Sequence, residues 1–159
     1  MNRSLFVLSL CTAIFQAELP RSNNFGSADQ WLKKCQTDVV FAFFGYNESF
    51  GGASGLANFK KHLTSFIDNT RKQNYSGRGA PRIVLFSPIA HENLRSAHLP
   101  DGKENNERLK LYTQAMAEVA AAKDVPFVDL FAKSQKLYEQ HSQPLTINGI
   151  HLTPQGNQE

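Results

Sequence analysis

Cysteine is nearly absent: Cys11 and Cys35 stand alone in 159 residues, too few for a disulfide framework or a thiolate-held metal centre. No apolar tract reaches the roughly 20 residues that a membrane-spanning helix takes; Leu5 to Phe15 is about half that length. A dominant charge is missing too. Lys and Arg number 17 against 14 Asp and Glu, and only Arg71, Lys72, Arg78 and Arg82 gather, around a Gly-Ser turn. No aromatic residues are interleaved with them, so they read as a solvated loop and nucleic acid is not an expected partner. There is no internal repeat, low-complexity tract or interdomain linker. A chain of this length with 41% hydrophobic and 19% charged residues suits one globular domain with a sizeable core.

What is present begins with a divided reading of residues 1–20. Met1-Asn2-Arg3 followed by Leu5 to Phe15, with Ala17 as a cleavage point, resembles a secretory signal that would send the protein to the periplasm or outside the cell. The same segment also reads as a strand belonging to the fold. From residue 21 to 159 the chain reads as the domain proper. Gly26-Ser27-Ala28-Asp29 opens a helix carrying Trp31, Leu32 and Cys35. Val39 to Phe44 shows no alternation, which predicts a parallel strand covered on both faces. Leu56, Phe59, Leu63, Phe66 and Ile67 recur at helical spacing, and Gly77, Gly79 and Pro81 break the chain before a second strand, Arg82 to Phe86. Leu109, Tyr112, Met116, Val119 and Ala120 mark a further helix, Pro126 to Phe131 a third strand, and Lys133 to His141 a short helix. This βαβαβα order predicts right-handed crossovers and a three-layer α/β/α sandwich on a mainly parallel sheet. Ligands of such sheets bind outside the carboxyl ends of the strands, where Gly45-Tyr46-Asn47, Pro88 to Glu92 and the loop bearing His151 should converge.

Two of those loops carry residues suited to acyl transfer. Asn47, on the turn after a strand, offers amide donors that keep their character at any pH, as an oxyanion requires; an Asn after Gly can also simply cap a turn. Imidazole titrates near neutrality, which suits His151 to a general base, although a lone His in a C-terminal loop is commonly structural. The orienting position three residues before it holds Asn148, which can accept from the imidazole but brings no negative charge. Glu48, Glu92 and Asp129 are substitutes only if the fold brings them near; Asp129 reads better as a helix cap. His91, Glu92 and His98 lack regular metal-ligand spacing, so neither a metal nor another cofactor is expected.

Gly45-Tyr46-Asn47-Glu48 resembles the third conserved block of the SGNH, or GDSL-like, hydrolases, and Asn148-Gly149-Ile150-His151 resembles the fifth. From Phe25 to Gly156, through Leu85-Phe86-Ser87-Pro88-Ile89-Ala90-His91-Glu92 and Val128-Asp129-Leu130-Phe131, the chain is similar to SGNH-type domains of large multidomain bacterial proteins. The resemblance implies a flavodoxin-like fold, Asn47 in the oxyanion hole with Gly45, Glu48 and Asn148 supporting it, and His151 as base. It implies as substrate a small-molecule, carbohydrate or lipid ester bearing an acyl or acetyl group, and neighbouring domains as partners. The family's serine lies in a Gly-Asp-Ser motif after the first strand, and this sequence contains none; Ser9 lacks the flanking Gly and Asp, and Ser27, after Gly26, reads as part of a helix start. The expectation is a domain incomplete at its N-terminus, acting as an esterase or, alternatively, as a catalytically inactive binding module.

Overall fold

The apolar runs become parallel strands. In the computed structural model, which describes residues 26–159 and the backbone of 5–8, four strands lie in sequence order: β1 (Leu5–Leu8), β2 (Val39–Phe43), β3 (Arg82–Phe86) and β4 (Phe127–Val128). Leu5 pairs with Val39 and Leu8 with Ala42; Val39 pairs with Arg82 and Phe43 with Phe86; Leu85 pairs with Phe127. The secretory reading of residues 1–20, the cysteine at 11 and Ser9 otherwise lie outside the described residues.

Each crossover contains a helix. Ser27 caps α1 (Ala28–Lys34) by accepting from the Gln30 amide while the Gln30 side chain accepts from the Ser27 amide, satisfying two otherwise orphaned helix-end donors. α2 (Gly52–Arg71) and α3 (Lys103–Ala122) follow β2 and β3. Because every step along the sheet runs the same way, right-handed crossovers deliver α1, α2 and α3 to one face. The core records this: Val40, Ala42, Ile83 and Leu85 pack with Leu32, Phe59, Leu63, Ile67, Tyr112 and Met116. The other face carries Phe41, Phe43 and Phe86, half-buried, with Phe43 stacked on Phe86 at 4.5 Å. Thus β2 is apolar on both faces, as expected, but only one is fully excluded from water. The result is the α/β arrangement on a parallel sheet that the pattern predicts, flavodoxin-like as the resemblance implies.

Strand β4 is shorter than the run from Pro126 to Phe131 suggests. Asp129 already caps α4 (Leu130–Gln140), accepting from the Ala132 amide at 2.8 Å, and so ends the ladder after two residues. Ser87, at the end of β3, ties this junction together. Its Oγ accepts from the Leu130 and Phe131 amides at 2.8 and 3.0 Å and donates to the Pro88 carbonyl at 3.1 Å. The loop after β3 therefore leaves the sheet on a fixed course. Since Ser87 is 1% exposed, Ser87→Ala should strand buried amides and cost about 1–3 kcal/mol; urea unfolding is expected to show a lower midpoint at unchanged slope.

Candidate active site at the carboxyl edge of the sheet

The first loop leaves β2 through Phe44 and Gly45. Gly45 has φ +101° and lies against Met116 and Pro88, where a Cβ would stand 3.3 Å from the Met116 sulfur and from Pro88 Cδ. A side chain there would meet both backbone strain and crowding. The Gly45 amide donates to Glu48 Oε2 at 2.9 Å, and Ser49 Oγ donates to the Tyr46 carbonyl at 2.6 Å. These bonds fold Glu48–Gly51 into a 3-10 turn with Asn47 at its cap position. Tyr112 braces the turn from α3: its hydroxyl donates to the Gly52 carbonyl at 3.0 Å, and its ring lies 4.9 Å from Phe59. Asn47 is exposed while Gly45 and Ser49 are buried, so the amide bearing the predicted chemistry stands out from a fastened base.

The second loop is a narrow bracket between residues 145 and 153. Ile147 donates its amide to the His151 carbonyl at 2.8 Å and Thr153 to that of Leu145 at 2.9 Å, with an antiparallel bridge between Thr146 and Leu152. Within it, Asn148 Oδ1 accepts from the His151 backbone amide at 3.1 Å and stands 3.0 Å from His151 Nδ1. A backbone N–H can only donate, so the atom facing it is the amide oxygen. The same oxygen at Nδ1 requires that nitrogen to carry the ring proton, which leaves Nε2 as a bare acceptor. That tautomer is the one a general base needs. His151 is exposed, Asn148 half-buried and Gly149 buried.

Both loops are fastened to the chain that leaves β3. Pro88 touches Gly45 on one side, and on the other the Glu92 amide donates to the Gly149 carbonyl at 2.9 Å. Residues 87–92, leaving the carboxyl end of β3, thus touch the first block through Pro88 and the second through Glu92. The substitute carboxylates are occupied otherwise. Glu48 accepts from Gly45, Asp129 caps α4, and Glu92 accepts from the Leu145 and Thr146 amides and the Thr146 hydroxyl. The orienting partner of His151 is therefore the neutral Asn148. Glu92 is engaged in the bracket and His98 is exposed; among the described residues no three His, Cys, Asp or Glu side chains assemble as a metal site.

Sequence reading offers no sign of the bond network around Glu92 or of the aromatic edge beside Asn47. Phe50, 60% exposed, meets the Tyr46 ring edge-on at 5.9 Å, with the Arg108 guanidinium 5.3 Å from its centre. Residues from three separate loops and a helix make these contacts, and no local pattern announces them.

The family model of the GDSL-like lipase/acylhydrolase family matches residues 12–159. A GDSL esterase/lipase of Arabidopsis thaliana, CPRD49, is 29% identical over 130 residues, covering 77% of this chain and 50% of its own length. The rhamnogalacturonan acetylesterase RhgT of Bacillus subtilis (strain 168) is 28% identical over 107 residues, covering 67% and 41%. The chain spans about half the length of the curated relatives it matches. Among solved structures, a lipase/acylhydrolase from Enterococcus faecalis superposes with TM-score 0.52 at 24% identity over 77% of this chain and 56% of that one. A catalytic mutant of Axe2, an acetylxylan esterase from Geobacillus stearothermophilus, gives 0.59 at 15% over 83% and 63%. These likenesses establish the shared fold.

Burial raises the Glu48 carboxyl above its ordinary value, against the opposing backbone donors of Glu48 and Gly45. The folded chain then binds this proton more tightly than the unfolded one. Its contribution to stability is full below the ordinary value of 4.5 and is lost as pH rises through the raised one. Glu48→Gln keeps an acceptor for Gly45 while removing the charge. Thermal unfolding should therefore place the variant higher, relative to the parent, at about pH 7 than at about pH 4; an equal gap at both would refute the assignment.

Proposed function

The chain belongs to the GDSL-like lipase/acylhydrolase family, a family of ester hydrolases, and from that premise we propose that it carries the oxyanion and base elements of an ester-hydrolysing site. The observation that supports this most is the Asn148–His151 pair, in which one amide oxygen accepts from the His151 backbone amide and faces its Nδ1 on a residue exposed to solvent. In the proposed reaction His151 Nε2 takes the proton of a serine hydroxyl as its oxygen bonds to the ester carbonyl carbon. The carbonyl π electrons move onto oxygen, and the Asn47 amide donates to that oxyanion. As the tetrahedral species collapses, the bond to the leaving alkoxide breaks and His151 returns the proton to it. Water, activated by the same imidazole, then releases the acid.

An acyl or acetyl ester of a carbohydrate or lipid is the substrate class we infer. The acetylesterase activity that names the Bacillus relative supports the acetylated carbohydrate. Asn148 contributes direction without charge. An imidazolium beside it is held in place but gains less than beside a carboxylate, so Asn148→Asp should raise kcat.

In the full-length protein, hydrolysis of a short-chain nitrophenyl ester should fall by on the order of 10²–10⁴ in His151→Ala and by on the order of 10²–10³ in Asn47→Ala. Unchanged turnover in His151→Ala would remove that residue from the mechanism. A second reading, a binding module without turnover, is favoured by one observation: no Gly-Asp-Ser occurs in the sequence. Covalent labelling of one serine by a fluorophosphonate would exclude it, whereas glycan binding without labelling would establish it.

A further inference from the structure

Glu92 is buried at 7% exposure. A carboxylate withdrawn from water costs several kcal/mol unless donors or a cation replace its hydration. Among the described residues none of the salt bridges includes it. The compensating donors among the described residues all come from one place. The Leu145 amide sits 3.1 Å from both oxygens, and Oε2 also accepts the Thr146 amide at 2.7 Å and the Thr146 hydroxyl at 2.6 Å.

The Thr146 hydroxyl extends the arrangement. While donating to Glu92 it accepts from the Gly149 amide at 3.0 Å, and Gly149 returns its carbonyl to the Glu92 amide. Glu92 thereby grips the bracket at both ends of the segment Thr146–Gly149, the segment that contains Asn148. The grip is itself held rigidly. The neighbouring His91 gives its amide to Asn106 Oδ1 at 2.7 Å and takes Asn106 Nδ2 on its carbonyl at 2.8 Å. Its ring is wedged between Gly102 and Gly149, where a Cβ at either position would collide with the imidazole. Helix α3, the loop after β3 and the His151 bracket are thus locked into one unit.

We propose that Glu92 is a positioning residue: through Leu145, Thr146 and Gly149 its carboxylate sets the turn that presents Asn148 Oδ1 to His151 Nδ1, and so fixes the tautomer and direction of the imidazole. The catalytic meaning of this rests on the base role proposed above; the geometric claim can be tested without it. Glu92→Gln keeps the shape but confronts the converging donors with an amide that can accept through one atom only. Thr146→Val removes the hydroxyl relay at constant volume and is the milder variant should the first fail to fold.

The experiment is ¹⁵N NMR of the histidine rings in the full chain, at a pH where His151 is neutral, together with turnover of a nitrophenyl ester. In the parent, His151 should show the Nδ1–H form. In Glu92→Gln and in Thr146→Val the Nε2–H form should gain population, and kcat should drop by on the order of 10- to 100-fold at unchanged KM, as for a displaced catalytic group. A fold defect alone would lower the melting temperature and leave the His151 ring signals of the folded fraction where they were. Parent-like ring signals in both variants overturn the proposal. Changed tautomer in the variants alongside full turnover in His151→Ala upholds the grip and overturns the base role instead.

Discussion

A carboxylate buried with no counter-charge among the described residues must be surrounded by donors, and the donors that surround Glu92 belong to a segment more than fifty residues further along the chain. That requirement shapes everything at the carboxyl edge of the sheet. If Leu145 and Thr146 moved away, the charge would be left in a region nearly closed to water. If Glu92 moved, two buried amides and a hydroxyl would lose their acceptor. Either change costs more than the small net worth of an ordinary hydrogen bond, because unmade bonds to buried groups carry the full desolvation penalty. The bracket bearing His151 is therefore placed by necessity rather than by its own propensity, which is low for a run containing Asn148 and Gly149.

The sheet supplies the platform on which this occurs. All strands run parallel, so the polypeptide leaves every one at the same edge, and the loops after β2 and β3 meet there without any special device. Gly45 allows the first to turn tightly over Pro88, and Ser87 directs the second by holding the start of α4. Tyr112 then steadies the Asn47 turn from α3. Burial, followed by the charge of Glu48, lifts the Tyr112 phenol above its ordinary range. The exposed Asn47 and His151 thus stand on buried supports.

Much of this was legible before any coordinates. Val39 to Phe44 and Arg82 to Phe86 are apolar runs too dense for surface strands, and the 3.6-residue recurrence from Leu56 and from Leu109 marks helices that need one face buried. Asp129 as a cap, and Asn148 as the partner of His151, are interactions across three residues, within reach of a local pattern. The end of β4 was less legible, because Phe127-Val128-Asp129-Leu130-Phe131 is as apolar as a longer strand. A capping side chain overrides propensity there. Glu92 stood as a substitute at His151 only if the fold brought it near; nothing beside it in the chain reveals that Leu145 and Thr146 will claim it.

The sequence by itself determined the elements, their order and the handedness of their connections, since side-chain periodicity and backbone chirality act over a few residues. It also determined which residue types could hold an oxyanion or move a proton. Tertiary structure alone decided which carboxylate faces solvent and which is buried, and which loop holds another in place. Those outcomes depend on distances between groups far apart in the chain, and such distances exist only once the core of Val40, Leu63, Leu85 and Met116 has closed and excluded water.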